Sequence, residues 1–143
     1  MEFLSFLAVL ITLVLLFFLL SMVWPPDSPW SPWWQTNAKR SRLICKMAKV
    51  TDKDVVYDLG SGDGTLLRIA AKEFGAKAIG VEIDPFRVWY SRLATLFTGQ
   101  TGRVKIIRKN FFDADIRDAT VVFMYLIPKA LARLRPKLLN ELK

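Results

Sequence analysis

The sequence predicts an α/β domain, a parallel sheet with helices on both faces, carried behind one N-terminal membrane-spanning helix. Three observations predict it. Residues 3–24, FLSFLAVLITLVLLFFLLSMVW, hold no charge, and at about 1.5 Å per residue they match a hydrocarbon core of roughly 30 Å. Beyond residue 50, four short apolar runs alternate with stretches at helical spacing, as strands and crossover helices do. The turn DLGSGDG, residues 58–64, sets three glycines at alternate positions between the first run and the helix after it.

The first segment, 1–24, is expected to be an anchor. A cleaved secretory signal is the competing reading, but it calls for a basic start and a shorter apolar stretch, and the only early charge here is Glu2. Lys39, Arg40, Arg42, Lys46 and Lys49 follow the span. That excess of positive charge predicts a single-pass protein whose C-terminal domain faces the cytoplasm or a matrix-equivalent side. Residues 25–35 form a linker within a stretch, 24–34, of four prolines and four tryptophans. Proline stiffens it, and tryptophan prefers the lipid head-group layer; a protein-docking motif is the alternative.

The third segment, 36–143, is the folded domain. A helix is expected over 38–50, then a turn, then a buried strand over 55–59. Residues 65–74 have helical spacing, with Gly75 placed to cap the C-terminus. A second strand covers 76–83. Asp84 and Pro85 suit the cap and first position of a helix ending near residue 97, with Trp89 and Tyr90 expected to pack it against the sheet. Strands over 102–110 and 119–126 and a helix over 128–143, broken at Pro136, complete the pattern.

Composition removes several chemistries. The single cysteine, Cys45, excludes an internal disulfide and a cysteine-built metal site, and its apolar neighbours make it core filler. No histidine is present, so Ser-His-Asp and Cys-His nucleophile systems are excluded and no metal site is expected. The net charge of +8 suits an anionic lipid surface beside the span, and no nucleic-acid partner is expected.

The glycine turn is more selective. No Gly-Lys-Ser/Thr follows it, so it is not a P-loop. Gly60, Gly62 and Gly64 occupy relative positions 1, 3 and 5, where a dinucleotide fingerprint needs 1, 3 and 6. Asp58 and Asp63 flank the turn and would repel a pyrophosphate. A cationic ligand without phosphate, such as S-adenosylmethionine, is favoured. Glu82, 18 residues after Gly64, could accept ribose hydroxyls of that ligand or of NAD and does not choose between them.

With these motifs in place, residues 55–64, VVYDLGSGDG, resemble motif I of class I S-adenosylmethionine-dependent methyltransferases, and GVEIDP, residues 80–85, resembles their acidic motif. Together with GVEIDPFRVWYSR and KNFFDADIRDATVVFMYL they are similar to small protein-lysine methyltransferases of archaea and their membrane-anchored mitochondrial relatives. The resemblance implies a Rossmann-like sheet and a lysine of a protein as methyl acceptor. It puts Asp58 near the methionine part of the cofactor and Gly60, Ser61, Gly62, Asp63 and Gly64 beneath it. Glu82 falls on the ribose with Ile83 beside it, and Asn110 and Phe111 fall near the adenine. Thr36 matches a cofactor-touching threonine, although Gln35 and Asn37 stand where the family has prolines. Tyr125 marks the start of the substrate pocket, where it is a candidate for positioning the acceptor.

The family's sheet has seven strands, ordered 3-2-1-4-5-7-6, and four are recognisable here. The fourth is then expected at an edge, open to a second chain or to self-association, in a fragment, a split enzyme or a degenerate one. Two alternative functions follow: a non-catalytic module binding a partner at the membrane, and a methyltransferase acting on a lipid or quinone.

Overall fold

The computed structural model describes residues 2–23 and 34–142, with side chains in the first stretch given for 2–17 and 19–20. The chain forms α1 (Glu2–Val23), α2 (Ala38–Met47), β1 (Val55–Leu59), α3 (Thr65–Phe74), β2 (Lys77–Glu82), α4 (Pro85–Phe97), β3 (Val104–Arg108), β4 (Val121–Met124) and α5 (Pro128–Glu141). The four strands make one parallel sheet in the order β3-β2-β1-β4. This is the order expected for the first four strands, with β4 at an edge. Most of the linker expected over 25–35 lies outside the described residues.

α1 is a helix of 22 residues whose described side chains are exposed. Among the described residues no helix is long and apolar enough to cross a membrane. The uninterrupted described stretch ends at Phe17, about 24 Å of helix against roughly 30 Å of hydrocarbon. The membrane-spanning expectation over 3–24 is therefore not part of the described fold, and it returns below as a proposal.

Local chemistry sets the element ends. Asn37 caps α2 by accepting from the Arg40 N–H at 2.9 Å. Asp84 caps α4 by accepting from the Arg87 N–H at 2.8 Å, with Pro85 at the first turn. Gly75 closes α3 in the left-handed region at φ +75°, a conformation that costs glycine little. Pro136 does not break the last helix: α5 runs through it. Leu134 and Leu138, either side of Pro136, hold that helix in the core, and such packing outweighs one lost backbone bond.

Alternation along each strand divides the core. Val56, Ala78, Val104 and Ile106 meet α2, α3 and α4 on one face, where Cys45 is fully buried as core filler. Tyr57, Leu59 and Val81 meet α5 and the segment 110–119 on the other.

The fit of α4 departs from expectation. Trp89 and Tyr90 are 58% and 48% exposed, whereas Arg87, Val88, Ser91 and Thr95 are buried. The reason is closeness: a Cβ on Gly64 would lie 2.1 Å from Ser91 Oγ, so this side of the helix has room for small side chains and none for a ring. Thr95 satisfies its hydroxyl within the helix, donating to the Ser91 carbonyl at 2.8 Å.

Candidate functional site

β1 lies between β2 and β4, so the winding reverses there, and a crevice opens beyond the carboxyl ends of the two strands. Asp58 and Glu82 reach it for one reason. Each lies an even number of residues from Val56 or Ala78, which face the α2–α4 side, and each stands at or near the end of its strand. Both line the cavity, together with Thr36, Gly60, Ser61, Gly62, Asp63, Ile83, Phe111 and Tyr125.

Glu82 organises this site. Buried to 5% exposure, its carboxylate accepts from the Gly62 N–H at 2.8 Å through Oε2, and from the Ile83 and Asp84 N–H groups at 2.9 and 3.0 Å through Oε1. One side chain thus ties the glycine turn to the start of α4. Oε2 accepts one of these bonds and Oε1 two, which leaves Oε2 acceptor capacity for a ligand hydroxyl.

The turn itself needs glycine. Gly60, Gly62 and Gly64 have φ of +89°, +54° and +73°, a region where a Cβ crowds the backbone. Its donors are used within the protein: Gly60 and Ser61 N–H groups donate to the Val81 carbonyl at 2.8 and 3.1 Å, and Gly64 to the Ser61 carbonyl at 2.9 Å. With Gly62 bonded to Glu82, these four amides do not form the outward cradle that a phosphate requires. The sequence predicts a loop presenting amides to its ligand; the structure shows a loop that turns these inward.

Electrostatics sharpens the preference. Asp58, part-exposed at the cavity wall and otherwise enclosed, has its carboxyl pushed up to about 7 by burial first, then by Glu82 and Asp63. Such a crowded acid favours a cation arriving beside it. Asp63 serves the turn as well: its carboxylate accepts from Thr65 N at 3.0 Å, Thr65 Oγ1 at 2.9 Å and Gln35 Nε2 at 2.7 Å. The last bond draws the segment of Thr36 over the crevice.

Two expected residues behave differently. Ser61 is at the wall, but its Oγ is 2.6 Å from where a Cβ on Gly80 would stand; it is turned under the loop, towards β2, and has no hydrogen-bond partner. Asn110 is not part of the described cavity wall; its Oδ1 accepts from the Phe112 N–H at 3.1 Å, closing a turn after β3. Phe111 from that turn does reach the cavity. Arg87 is a wall residue that the motifs alone do not predict. It is buried and lines the cavity, where burial pulls its pKa down against the opposing effect of Glu82 and then Asp84. The spacing Arg87, Ser91, Thr95, one residue per turn, carries that information.

The likenesses of the chain agree with this geometry. The model of the ANTKMT methyltransferase domain matches residues 58–143. A protein-lysine N-methyltransferase of Saccharolobus islandicus (strain REY15A) is 44% identical over 116 residues, 80% of this chain and 72% of that protein. An ATP synthase lysine N-methyltransferase of Homo sapiens is 30% identical over 112 residues. That match takes in 78% of this chain, which spans about half, 47%, of the human protein's length. An RNA methyltransferase from Salinibacter ruber, solved in complex with S-adenosyl-L-homocysteine, superposes with a TM-score of 0.75 at 38% identity, over 77% of this chain and 72% of that one. The chain therefore belongs to the family of the ANTKMT methyltransferase domain, a Rossmann-like methyltransferase fold whose cofactor is S-adenosylmethionine.

Proposed function

We propose that the protein is a membrane-anchored protein-lysine N-methyltransferase, with residues 1–24 as anchor, 25–35 as interfacial linker and 36–143 as the methyltransferase domain. The observation that carries the chemistry is the acid-walled crevice at the ends of β1 and β2, where a crowded Asp58 sits beside a donor-saturated glycine turn. The substrate class is supported by the names of the archaeal and human relatives. The anchor is supported by the length of α1 and its exposed apolar side chains, and the cytoplasmic or matrix-equivalent placement by the basic residues after it.

The residues present fit the cofactor. Glu82 would accept from its ribose hydroxyls, Asp58 would face its ammonium, and Ile83 and Phe111 would flank its adenine. When bound, S-adenosylmethionine supplies a methyl group already activated by its sulfonium. Alignment and removal of water can then supply much of the acceleration, in keeping with a chain that has no histidine. Tyr125, 74% exposed at the cavity mouth, would orient an incoming lysine amine, which must shed its proton before attack.

Incubating the full chain in lipid vesicles with radiolabelled cofactor and a membrane-protein extract tests this reading. Label is expected in protein, and blocking lysines by acetylation should remove it. Label in the lipid extract, or in added RNA, would replace the proposed acceptor. The outer edge of β4, without a strand partner among the described residues, favours a second reading in which another polypeptide or a second copy pairs there.

Asp58 gives the cofactor a pH dependence. Between the ordinary value of 3.8 and about 7, the folded protein holds a proton that the unfolded chain has lost, so Asp58 lowers apo stability as pH rises through this window. Binding of a cation has the opposite slope: it must expel that proton below pH 7. Calorimetric affinity for S-adenosylmethionine is expected to fall by up to roughly tenfold per pH unit below 7. Asp58→Asn should flatten the profile and weaken binding about 10- to 100-fold above pH 7. A wild-type profile that is flat between pH 5 and 8 would remove Asp58 from this role.

A further inference from the structure

We propose that α4 is a second membrane contact, a helix that docks its outer face on an anionic lipid surface and holds the cofactor crevice there. The helix is inverted relative to an ordinary surface helix. Its inner face is small or polar, with Arg87, Ser91 and Thr95 buried, and its outer face is a continuous stripe of Phe86, Trp89, Tyr90, Leu93, Leu96 and Phe97. These positions recur at i, i+3, i+4, i+7, i+10 and i+11, one side of a helix. Phe97 is 81% exposed, and Phe86 and Trp89 pack on each other with centroids 5.9 Å apart. So much aromatic surface in water marks a binding face.

Charge and ring chemistry identify the occupant. From residue 85 to 110 the chain has Arg87, Arg92, Arg103, Lys105, Arg108 and Lys109 and not one acid. Two of these are fixed beside the helix by main-chain bonds: Arg92 Nη2 donates to the Ile106 carbonyl at 2.8 Å, and Arg108 Nε to the Ile83 carbonyl at 3.4 Å. A positive rim around an aromatic stripe complements anionic head groups above acyl chains. The polar atoms of the stripe, Trp89 Nε1 and Tyr90 Oη, are those that sit well at head-group depth. The first turn of α4 also carries Arg87, a wall of the crevice, so docking would bring the reaction site to the lipid surface, where the acceptor lysines of a membrane protein emerge.

This inference stands apart from the α1 anchor, and one sample separates the two. The full chain carrying Phe97→Cys is labelled with a fluorophore, Cys45 being fully buried, and reconstituted with doxyl-labelled lipid. Arg135→Cys, on α5 across the sheet, is the reference. In vesicles containing phosphatidylserine, the label at position 97 should be quenched several-fold more than the label at 135. In phosphatidylcholine alone the docked-to-free ratio should fall at least roughly fivefold, the worth of one basic residue at such a surface. Trp89→Glu should abolish the difference without shifting the unfolding midpoint. Equal quenching at both positions overturns the inference. So does a disulfide between two unlabelled Phe97→Cys chains, joined through position 97, that persists when the protein is diluted in lipid, which would assign the face to a second copy. Resistance to alkaline extraction reports the α1 anchor separately: a chain that is extracted yet quenched at 97 loses the anchor and keeps this contact.

Discussion

Replacing Glu82 with alanine is expected to cost on the order of 3 kcal/mol of stability and about 100-fold in cofactor affinity. The two losses have one origin. Alanine leaves the Gly62, Ile83 and Asp84 N–H groups, now 2.8 to 3.0 Å from the carboxylate, without an acceptor in a place with little water. It also removes the group facing the ribose hydroxyls. Glu82→Gln separates these effects. Its single carbonyl oxygen can keep the two bonds to Ile83 and Asp84, while its amide meets the Gly62 N–H donor to donor, so stability should recover in larger part than affinity. Urea unfolding and calorimetry on the same preparations read both. A Glu82→Ala protein that unfolds at the wild-type urea concentration would show that the carboxylate does not organise the turn.

The second large effect falls on a residue that no ligand need touch. Gly64→Ala combines two penalties: a side chain at φ +73°, costing about 1–2 kcal/mol, and a Cβ 2.1 Å from Ser91 Oγ, an overpacking of about 1–3 kcal/mol. Ser91 tells them apart. Its hydroxyl is buried without a partner, so Ser91→Ala alone should be close to neutral. Placed beside Gly64→Ala, it should return most of the overpacking cost and none of the backbone cost. Strict additivity in this double-mutant cycle would mean that the loop and α4 are not in contact as described.

Local signals are legible where local chemistry decides. β1, α3 and α4 begin and end where their apolar runs, Gly75, Asp84 and Pro85 place them, because a cap or a left-handed glycine acts over three or four residues. The acids of the crevice are legible too, since strand alternation fixes which way Asp58 and Glu82 point. What stays hidden depends on contacts between elements. The orientation of α4 turns on Ser91 meeting Gly64, 27 residues earlier, and the rings at 89 and 90 look like core in the sequence only because large apolar groups usually are. The glycine turn suggests amides presented to the ligand, since nothing local shows that other groups take four of them, the Val81 carbonyl and the Glu82 carboxylate among the acceptors. Asn110 is ambiguous for a similar reason: an asparagine after a strand serves a turn as readily as a ligand, and here the Phe112 N–H claims it.

The strand register also orders the birth of the molecule. Val55 meets Lys77 after 22 residues and Ala78 meets Val104 after 26, whereas Val56 must find Val121 across 65. Closing the longer loop costs about 1 kcal/mol more. A nascent chain can therefore assemble β1, β2 and β3 first, completing the acidic floor under the methyl donor, and only afterwards seat β4. The side of the crevice that meets an acceptor is the last to arrive and the first to fray, so thermal opening exposes the donor's seat from the substrate side while its floor stays intact.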